Sequence, residues 1–506
     1  VFIGFPDYDS SKNFLAVTFI KQVYVALAQK CGKKGKCTRR VKMVVDEAGN
    51  MPKIEDLRGM VTIGLGRNIF FDFYIQSLQQ FESVYGKDGE IIYGNCGNKV
   101  YLMAGDDDTP EKFSKLTGAQ VFTETEVVGL DRENKSVKAI DLKTNEEVTF
   151  SYDKLVIATG ASPVKPPIEG IDLPGVYFMR TPEDAINLRA DIEAGKIKRV
   201  AVIGAGYIGL EVAENMALQG VKVSVIEMAQ NILTGFDKEF AEYAENKLAD
   251  HGIMAFTGTK LEAILGEGKV EKIQTSRRAM KVDAVIMSVG IRPNTAFLAD
   301  TGIELMPNGT VKVNEYFETN DANIYSAGDC AMVKNVLTGA PTWSPMGSSA
   351  NIEGRILAQN INGKRIAYRG VVGTAVAKLL PNLNVGRTGL TEVAAKEAGF
   401  NPISVVTVVD DKAHYYAGAS NFMIKLIVDK DSLKVLGVQV MGAGAVDKVV
   451  DVVVTAMTMG ATLHDLEDLD LAYAPPFSTA IHPLVHTVNV LFNKINGNYF
   501  LIPDTS

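Results

Sequence analysis

Cysteine is scarce in this chain of 506 residues: four in all, at positions 31, 37, 96 and 330, and in no dense framework. That excludes a small scaffold stapled by disulfides and fits a reducing, cytoplasmic compartment. Long apolar runs are also missing. The longest, near Val449 to Met459, contains Asp451 and is too short to span a bilayer. No charged-then-apolar signal segment opens the chain. The pattern GxxxxGK followed by Ser or Thr occurs nowhere, so the loop that cradles phosphates in P-loop ATPases is absent. No metal-ligand spacing of His and Cys stands out. No internal repeat of short period and no low-complexity tract is present. Met is missing at the start, and Val1 falls inside what reads as a strand, so the chain reads as a fragment at its N-terminus. The net charge of -8 is modest. Its distribution is uneven, slightly basic over residues 1–118 and acidic beyond, which points to different origins for the two ends. The basic stretch from Lys30 to Lys42 reads as a solvated loop rather than a nucleic-acid site.

What is present is ordinary in bulk and specific in one place. Hydrophobic residues make up 46% and charged ones 22%, which fits a globular chain of two to four domains. Between Val200 and Glu227 the chain reads VAVIGAGYIGLEVAENMALQGVKVSVIE. Val200 to Ile203 is an apolar strand, and Gly204, Gly206 and Gly209 form GxGxxG at its end. A helix pattern follows, then a strand from Val221 to Ile226 that closes on Glu227. Gly204 makes the tight turn, Gly206 lets backbone approach a pyrophosphate, and Gly209 lets helix and strand pack closely. The helix N-terminus offers unpaired N–H groups and a partial positive charge to phosphates. An acid about 20 residues on accepts hydrogen bonds from a ribose 2′-OH. Glu227 would repel a 2′-phosphate, so NADH is expected over NADPH.

Around this unit the chain has other punctuation. Val41 to Val45 reads as a strand ending in Asp46-Glu47, and Met60 to Ile63 as another, followed by Gly64-Leu65-Gly66-Arg67-Asn68. GDDDTP, from Gly105 to Pro110, is a candidate boundary. Residues 121–157 read as strands with a KTNEE turn. From about 370 the pattern is antiparallel strands and helices, ending in YAPPFSTAIHP (Tyr473 to Pro483). MGAGAVDK (Met441 to Lys448) reads as a strand-to-helix turn, since it lacks the third glycine. Cys31 and Cys37 lie in a lysine-rich loop, Cys96 is isolated, and Cys330 reads as packed.

Several motifs occur in a family's order. YDKLVIATGASPVKPPI (Tyr152 to Ile168), GAGYIG, VIMSVGIRPN (Val285 to Asn294) and IYSAGDCA (Ile324 to Ala331) make the chain from roughly Glu126 to Gly497 resemble the flavin-dependent pyridine nucleotide–disulfide oxidoreductases. Within them it looks like the coenzyme A-disulfide reductase and NADH oxidase/peroxidase group. The resemblance implies an α/β fold in which a Rossmann-like NAD(H)-binding domain (166–290) is inserted in a truncated FAD-binding domain (119–165 and 291–345). An α+β dimerisation domain (346–506) follows. It implies FAD and NADH as cofactors, with Thr159, Gly160, Gly290 and Gly328 lining their sites and Asp329 bonding the FAD ribitol. It also places Tyr473 and the Pro475-Pro476 turn near a partner subunit's active site, in a homodimer. His482-Pro483 matches the family's His-Pro acid/base loosely; a structural histidine at a helix start is the other reading. Two family features are absent: no GxGxxG precedes position 204, and no cysteine follows such a motif at the family's spacing.

Residues 1–118 resemble something else. PDYDSSKNFLAVTFIKQVYVAL, VKMVVDEAGNMP, GLGRNI, IQSLQQFESVYG and IIYGNCGNKVYL look like type IV secretion coupling proteins, the hexameric ATPases of conjugative DNA transfer. On that resemblance the segment is an α/β fragment of a RecA-like ATPase. Asp46 and Glu47 would be its Walker B pair, holding Mg²⁺ and orienting water. A fusion joined near Gly105 to Gly118 is the economical account. The expected function is hydride transfer from NADH to flavin and on to a small-molecule acceptor, impaired by weak FAD binding and the absent cysteine. The alternatives are a fragment of a DNA-transfer ATPase or a non-functional chimera. No nucleic acid or membrane partner is expected.

Overall fold

The computed structural model describes residues 13–30, 36–45, 48, 51–75, 78–96 and 118–498. It divides into two compact units, residues 1–126 with 141–146, and residues 127–140 with 147–506.

The first unit holds the helix Asn13–Lys30 and a parallel pair of strands, Val41–Val45 with Ile69–Phe73. Helices Leu57–Gly64, Leu78–Tyr85 and Lys87–Gly94 are its other α-helices among the described residues. Its core gathers Val45, Ile54, Leu57, Ile69, Phe81 and Ile92. The strand expected at Met60 to Ile63 is instead part of a helix. Leu57, Met60, Val61 and Gly64 are its buried residues, the i, i+3, i+4, i+7 stripe of a helix face, and four residues were too short a window to reveal it. Gly64-Leu65-Gly66 ends that helix in a short 3₁₀ turn and forms no nucleotide loop. Asp46 and Glu47 lie outside the described residues, as does most of the expected join. Cys37 is disulfide-bonded, which departs from the reducing compartment expected from the low cysteine count.

In the second unit the nucleotide domain is built on a five-stranded parallel sheet. Its spatial order is Met254–Phe256, Lys222–Ile226, Arg199–Ile203, Ala284–Met287, Val176–Phe178. The central strands are buried on both faces, which is why they read as unbroken apolar runs. Side chains alternate between two cores. Val200, Val202, Val223 and Ile286 meet the helices Tyr207–Leu218 and Lys238–Asp250 through Leu210, Ala213, Phe240 and Leu248. Ala201, Ile203, Val285 and Met287 face a three-stranded antiparallel sheet through Leu261, Ile264 and Ile273. Each buried Val, Leu, Ile, Met or Phe among them contributes ~1.5–3 kcal/mol.

Strands of the flanking flavin-type region are short: Leu155–Ile157 pairs in parallel with Ile324–Ser326, and Ala161–Pro163 pairs antiparallel with Ile291–Pro293. The segment expected as strands around a KTNEE turn forms a three-stranded sheet, Thr125–Asp131, Ser136–Asp141 and Glu146–Ser151. Beyond residue 374 a five-stranded antiparallel sheet follows, in the order Ala375–Leu380, Leu383–Gly389, Val435–Gly442, Asn421–Asp429, Pro402–Asp410. Helices Val446–Thr458 and Pro483–Ile495 close its core. MGAGAVDK is the turn from its strand into the first of these helices, as read. Among the described residues no helix is long and apolar enough to cross a membrane.

Candidate nucleotide and flavin site

The sheet order reverses direction at the strand Arg199–Ile203, whose neighbours are Lys222–Ile226 on one side and Ala284–Met287 on the other. Ligands of open parallel sheets bind outside the carboxyl ends of the strands at such a point. Gly204 stands there at φ 103°, and a Cβ on it would overlap the Ser288 carbonyl oxygen. A Cβ on Gly209 would overlap the Gly204 carbonyl, so the third glycine serves packing. Gly206 differs: nothing lies within 4 Å of where its Cβ would be. It is the N-cap of the helix Tyr207–Leu218, and no side chain caps that end. The first turn therefore offers its N–H groups and dipole to an anion.

Glu227 ends the adjacent strand. Its Oε2 accepts from the Ala205 N–H and its Oε1 from the Ala229 N–H, both at 2.7 Å. A carboxylate has about four acceptor positions, so both oxygens keep capacity for ribose hydroxyls while the side chain is fixed from two sides. Its backbone is tied to Phe256 and Thr259. The residues fit an NADH diphosphate and adenosine ribose.

A second cluster gathers around Thr159, Gly160, Gly328 and Asp329. The Thr159 hydroxyl donates to the Asn294 carbonyl at 2.7 Å, and the Asn294 amide returns a bond to the Thr159 carbonyl at 2.9 Å. Gly160 and Gly290 take φ 66° and 99°, each with open space where a Cβ would stand. Asp329 follows Gly328 and is held by Arg180, whose Nη2 lies 3.1 Å from its Oδ2. Trp343 donates its indole N–H to the Asp329 carbonyl at 2.8 Å. The Gly328 N–H donates to Glu353, which is 1% exposed. Burial pushes the Glu353 carboxyl up to about 7, with the Asp329 charge adding to the shift and the Gly328 bond opposing it. These residues fit the ribitol end of FAD. The sequence holds no second GxGxxG for its pyrophosphate.

Cys330 is fully buried, its Sγ 3.5 Å from the carbonyls of Ile157 and Ala327, so it packs as read. His482 is the N-cap of the helix Pro483–Ile495, accepting the Leu484 N–H on Nδ1 at 3.2 Å. Burial, with Lys448 nearby, pushes it down to about 4. Tyr473 is half-exposed, and Phe477 and Ile481 are exposed beside it in sequence. Arg180, Asn294, Trp343 and Glu353 were not singled out from sequence. Glu353 alone left a signal: it lies between Ser349 and Leu357 at four-residue spacing, an acid inside a buried helical stripe.

Comparison with known proteins follows the same outline. A family model described as pyridine nucleotide-disulphide oxidoreductase matches residues 74–350, and the dimerisation domain of the same family matches 379–485. The first match begins ahead of the join expected near Gly105 to Gly118. The chain is 36% identical over 383 residues to a CoA-dependent NAD(P)H sulfur oxidoreductase of Pyrococcus furiosus, covering 76% of this chain and 85% of that one. It is 36% identical over 423 residues to an NADH oxidase of Methanocaldococcus jannaschii, covering 82% and 93%. Among solved structures, an NAD-dependent persulfide reductase from A. fulgidus is similar with TM-score 0.75 and 33% identity, covering 92% of this chain and 86% of that one. A water-forming NADH oxidase from Lactobacillus brevis, bound to NADH, gives TM-score 0.73 and 25% identity, covering 90% and 99%.

Proposed function

The chain belongs to the pyridine nucleotide-disulphide oxidoreductase family and is an FAD- and NADH-dependent oxidoreductase; from that premise we propose that its electrons leave to dioxygen rather than to a disulfide, and that it holds FAD loosely. When bound, the flavin supplies acceptance of hydride from NADH and onward release of electrons. The residues of this chain orient the reactants. The helix N-terminus at Gly206 takes the NADH diphosphate, Glu227 takes the adenosine ribose, and Asp329 takes the ribitol. The glycine turn at the sheet's switch point, with Glu227 pinned beside it, carries this reading.

Dioxygen is favoured because disulfide turnover needs an accessible thiolate beside the flavin. The cysteine adjoining the flavin motif, Cys330, has no exposed surface. Loose FAD binding follows from the lack of a second GxGxxG, because a helix N-terminus is worth up to ~2 kcal/mol per charge in favourable sites. Titration of the full chain with NADH and NADPH, followed by oxygen uptake with added FAD, tests the reading. No binding at millimolar NADH, equal preference for NADPH, or turnover of coenzyme A disulfide abolished by changing one cysteine would each refute a part of it.

Homodimerisation through the C-terminal domain and residence in the cytoplasm belong to the same proposal. The first is supported by the dimerisation-domain match and by exposed Tyr473, Phe477 and Ile481. Catalytic roles for Tyr473 and His482 rest on the resemblance alone. A coupling-ATPase origin for the first residues stays a proposal about descent. Without a phosphate loop the chain is expected to hydrolyse no ATP.

A further inference from the structure

Beyond the residues that meet the cofactors, we infer that Glu353 is a positioning residue for flavin: by accepting the Gly328 N–H it sets the turn that aims the Asp329 carboxylate at the ribitol. The inference rests on the flavoprotein reading above and deepens it. Glu353 projects from the helix Gly347–Ile361 on the same inward face as Ser349 and Leu357. Its Oε2 lies 2.7 Å from the Gly328 nitrogen, and Gly328 sits at φ 80°, a turn conformation open to glycine, whose freedom elsewhere the bond removes. Asp329 is thereby fixed on three sides: Glu353 through the preceding N–H, Trp343 at its carbonyl and Arg180 at its carboxylate. A buried carboxylate is costly, and packing alone would be served as well by Leu at this position. An acceptor for one backbone N–H is what the acid adds.

The groups that face Glu353 decide its protonation. Asp329 on the neighbouring turn and Tyr368 on a packed segment interact with its charge, and Arg180 acts through Asp329. Burial and Glu353 itself push Tyr368 up to about 12, so it stays neutral near pH 7. Glu353 then ionises near pH 7, and its bond to Gly328 becomes charge-assisted, roughly twice as strong as a neutral one.

The test uses the full chain and FAD. Trp343, the single tryptophan, donates to Asp329 and reports the turn by fluorescence, independently of turnover. FAD affinity and Trp343 emission are measured at pH 6 and pH 8. Wild type is expected to bind FAD about fivefold more tightly at pH 8. Glu353→Gln, which keeps an acceptor and cannot ionise, is expected to bind with wild-type pH 6 affinity at both values. Glu353→Leu is expected to bind about tenfold more weakly than wild type at pH 8, with altered Trp343 emission. If Glu353→Gln keeps the pH dependence, or Glu353→Leu matches wild type, the positioning role is wrong while the flavoprotein reading stands. If wild type takes up no FAD at either pH, both fall.

Discussion

At the scale of single residues, the three fingerprint glycines separate by what surrounds them. Gly204 at φ 103° has a carbonyl oxygen where a Cβ would go, so Gly204→Ala combines backbone strain of about 1–3 kcal/mol with a clash. It is expected to lower thermal stability as well as NADH binding. Gly206 has an ordinary φ of −79° and empty space on its Cβ side. Gly206→Ala is therefore expected to melt with wild-type stability and yet bind NADH about tenfold more weakly. Equal NADH affinity in a well-folded Gly206→Ala chain would remove the phosphate from this turn. Glu353 gives the second residue-level prediction. Its folded pKa, about 7, stands above the ordinary 4.5, so the native state holds a proton that the unfolded chain releases. Stability contributed by the protonated form is complete below about 4.5 and declines as pH rises to about 7. Between pH 5 and 8, denaturant titrations of Glu353→Gln and wild type should diverge in the variant's favour, by on the order of 3 kcal/mol at most. Parallel curves at both pH values would mean the carboxyl is not buried as described.

At the scale of elements, what sequence could reveal was what one element carries within itself. The strand, turn, helix, strand and acid of the nucleotide unit are contiguous, so the periodicity switch from strand to helix and the glycine spacing exposed them together. The short helix Leu57–Gly64 was misread because four apolar residues fit either period. The environment of Asp329 was illegible for another reason. Arg180, Trp343 and Glu353 reach it from three separate segments, and no local pattern joins them. The same holds for Lys425, on the strand Asn421–Asp429. Buried at 4% exposure, it meets Asp237 at 3.0 Å, Glu239 at 2.5 Å and Glu392 at 3.3 Å. Gln439 bonds Asp237 in turn, so the loop leading into the helix Lys238–Asp250 is tied to the C-terminal sheet. Removing one partner of a buried ion pair costs about 3–5 kcal/mol. Lys425→Met is expected to lose stability near the lower end, since Gln439 still serves Asp237, and a denaturant midpoint measures it. His482 belongs to this scale as well. Its pKa, about 4, is below the ordinary 6.5, so stability tied to its neutral capping form is intact above 6.5 and falls as pH drops toward 4. His482→Asn keeps a capping side chain and should leave NADH oxidation unchanged. A large loss of turnover with an unchanged melting temperature would instead support the acid/base role.

At the scale of the whole molecule, the exposed apolar residues of the segment before the helix Pro483–Ile495 need covering. Tyr473, Phe477 and Ile481 expose 52%, 73% and 56% of their surface within a stretch rich in proline and poor in charge. Large apolar side chains grouped in this way mark contact surfaces, and a twofold interface presents the same patch from both copies, so each substitution acts twice. The match of residues 379–485 to a dimerisation domain falls on the same region. The expected assembly is a homodimer closed by this segment, with Tyr473 delivered toward the partner's flavin. Light scattering after gel filtration should then give two chain masses for wild type and one for Phe477→Asp, whose charge would be buried twice in an apolar contact. Because Phe477 packs against little within its own chain, the variant should keep the wild-type melting behaviour at low concentration, where wild type also dissociates. Its NADH binding should survive, since Gly206 and Glu227 lie in the nucleotide domain. Turnover should fall if the partner's Tyr473 completes the site. A wild-type chain that runs as a monomer at tens of micromolar would remove the dimer, and with it any part for Tyr473 across an interface.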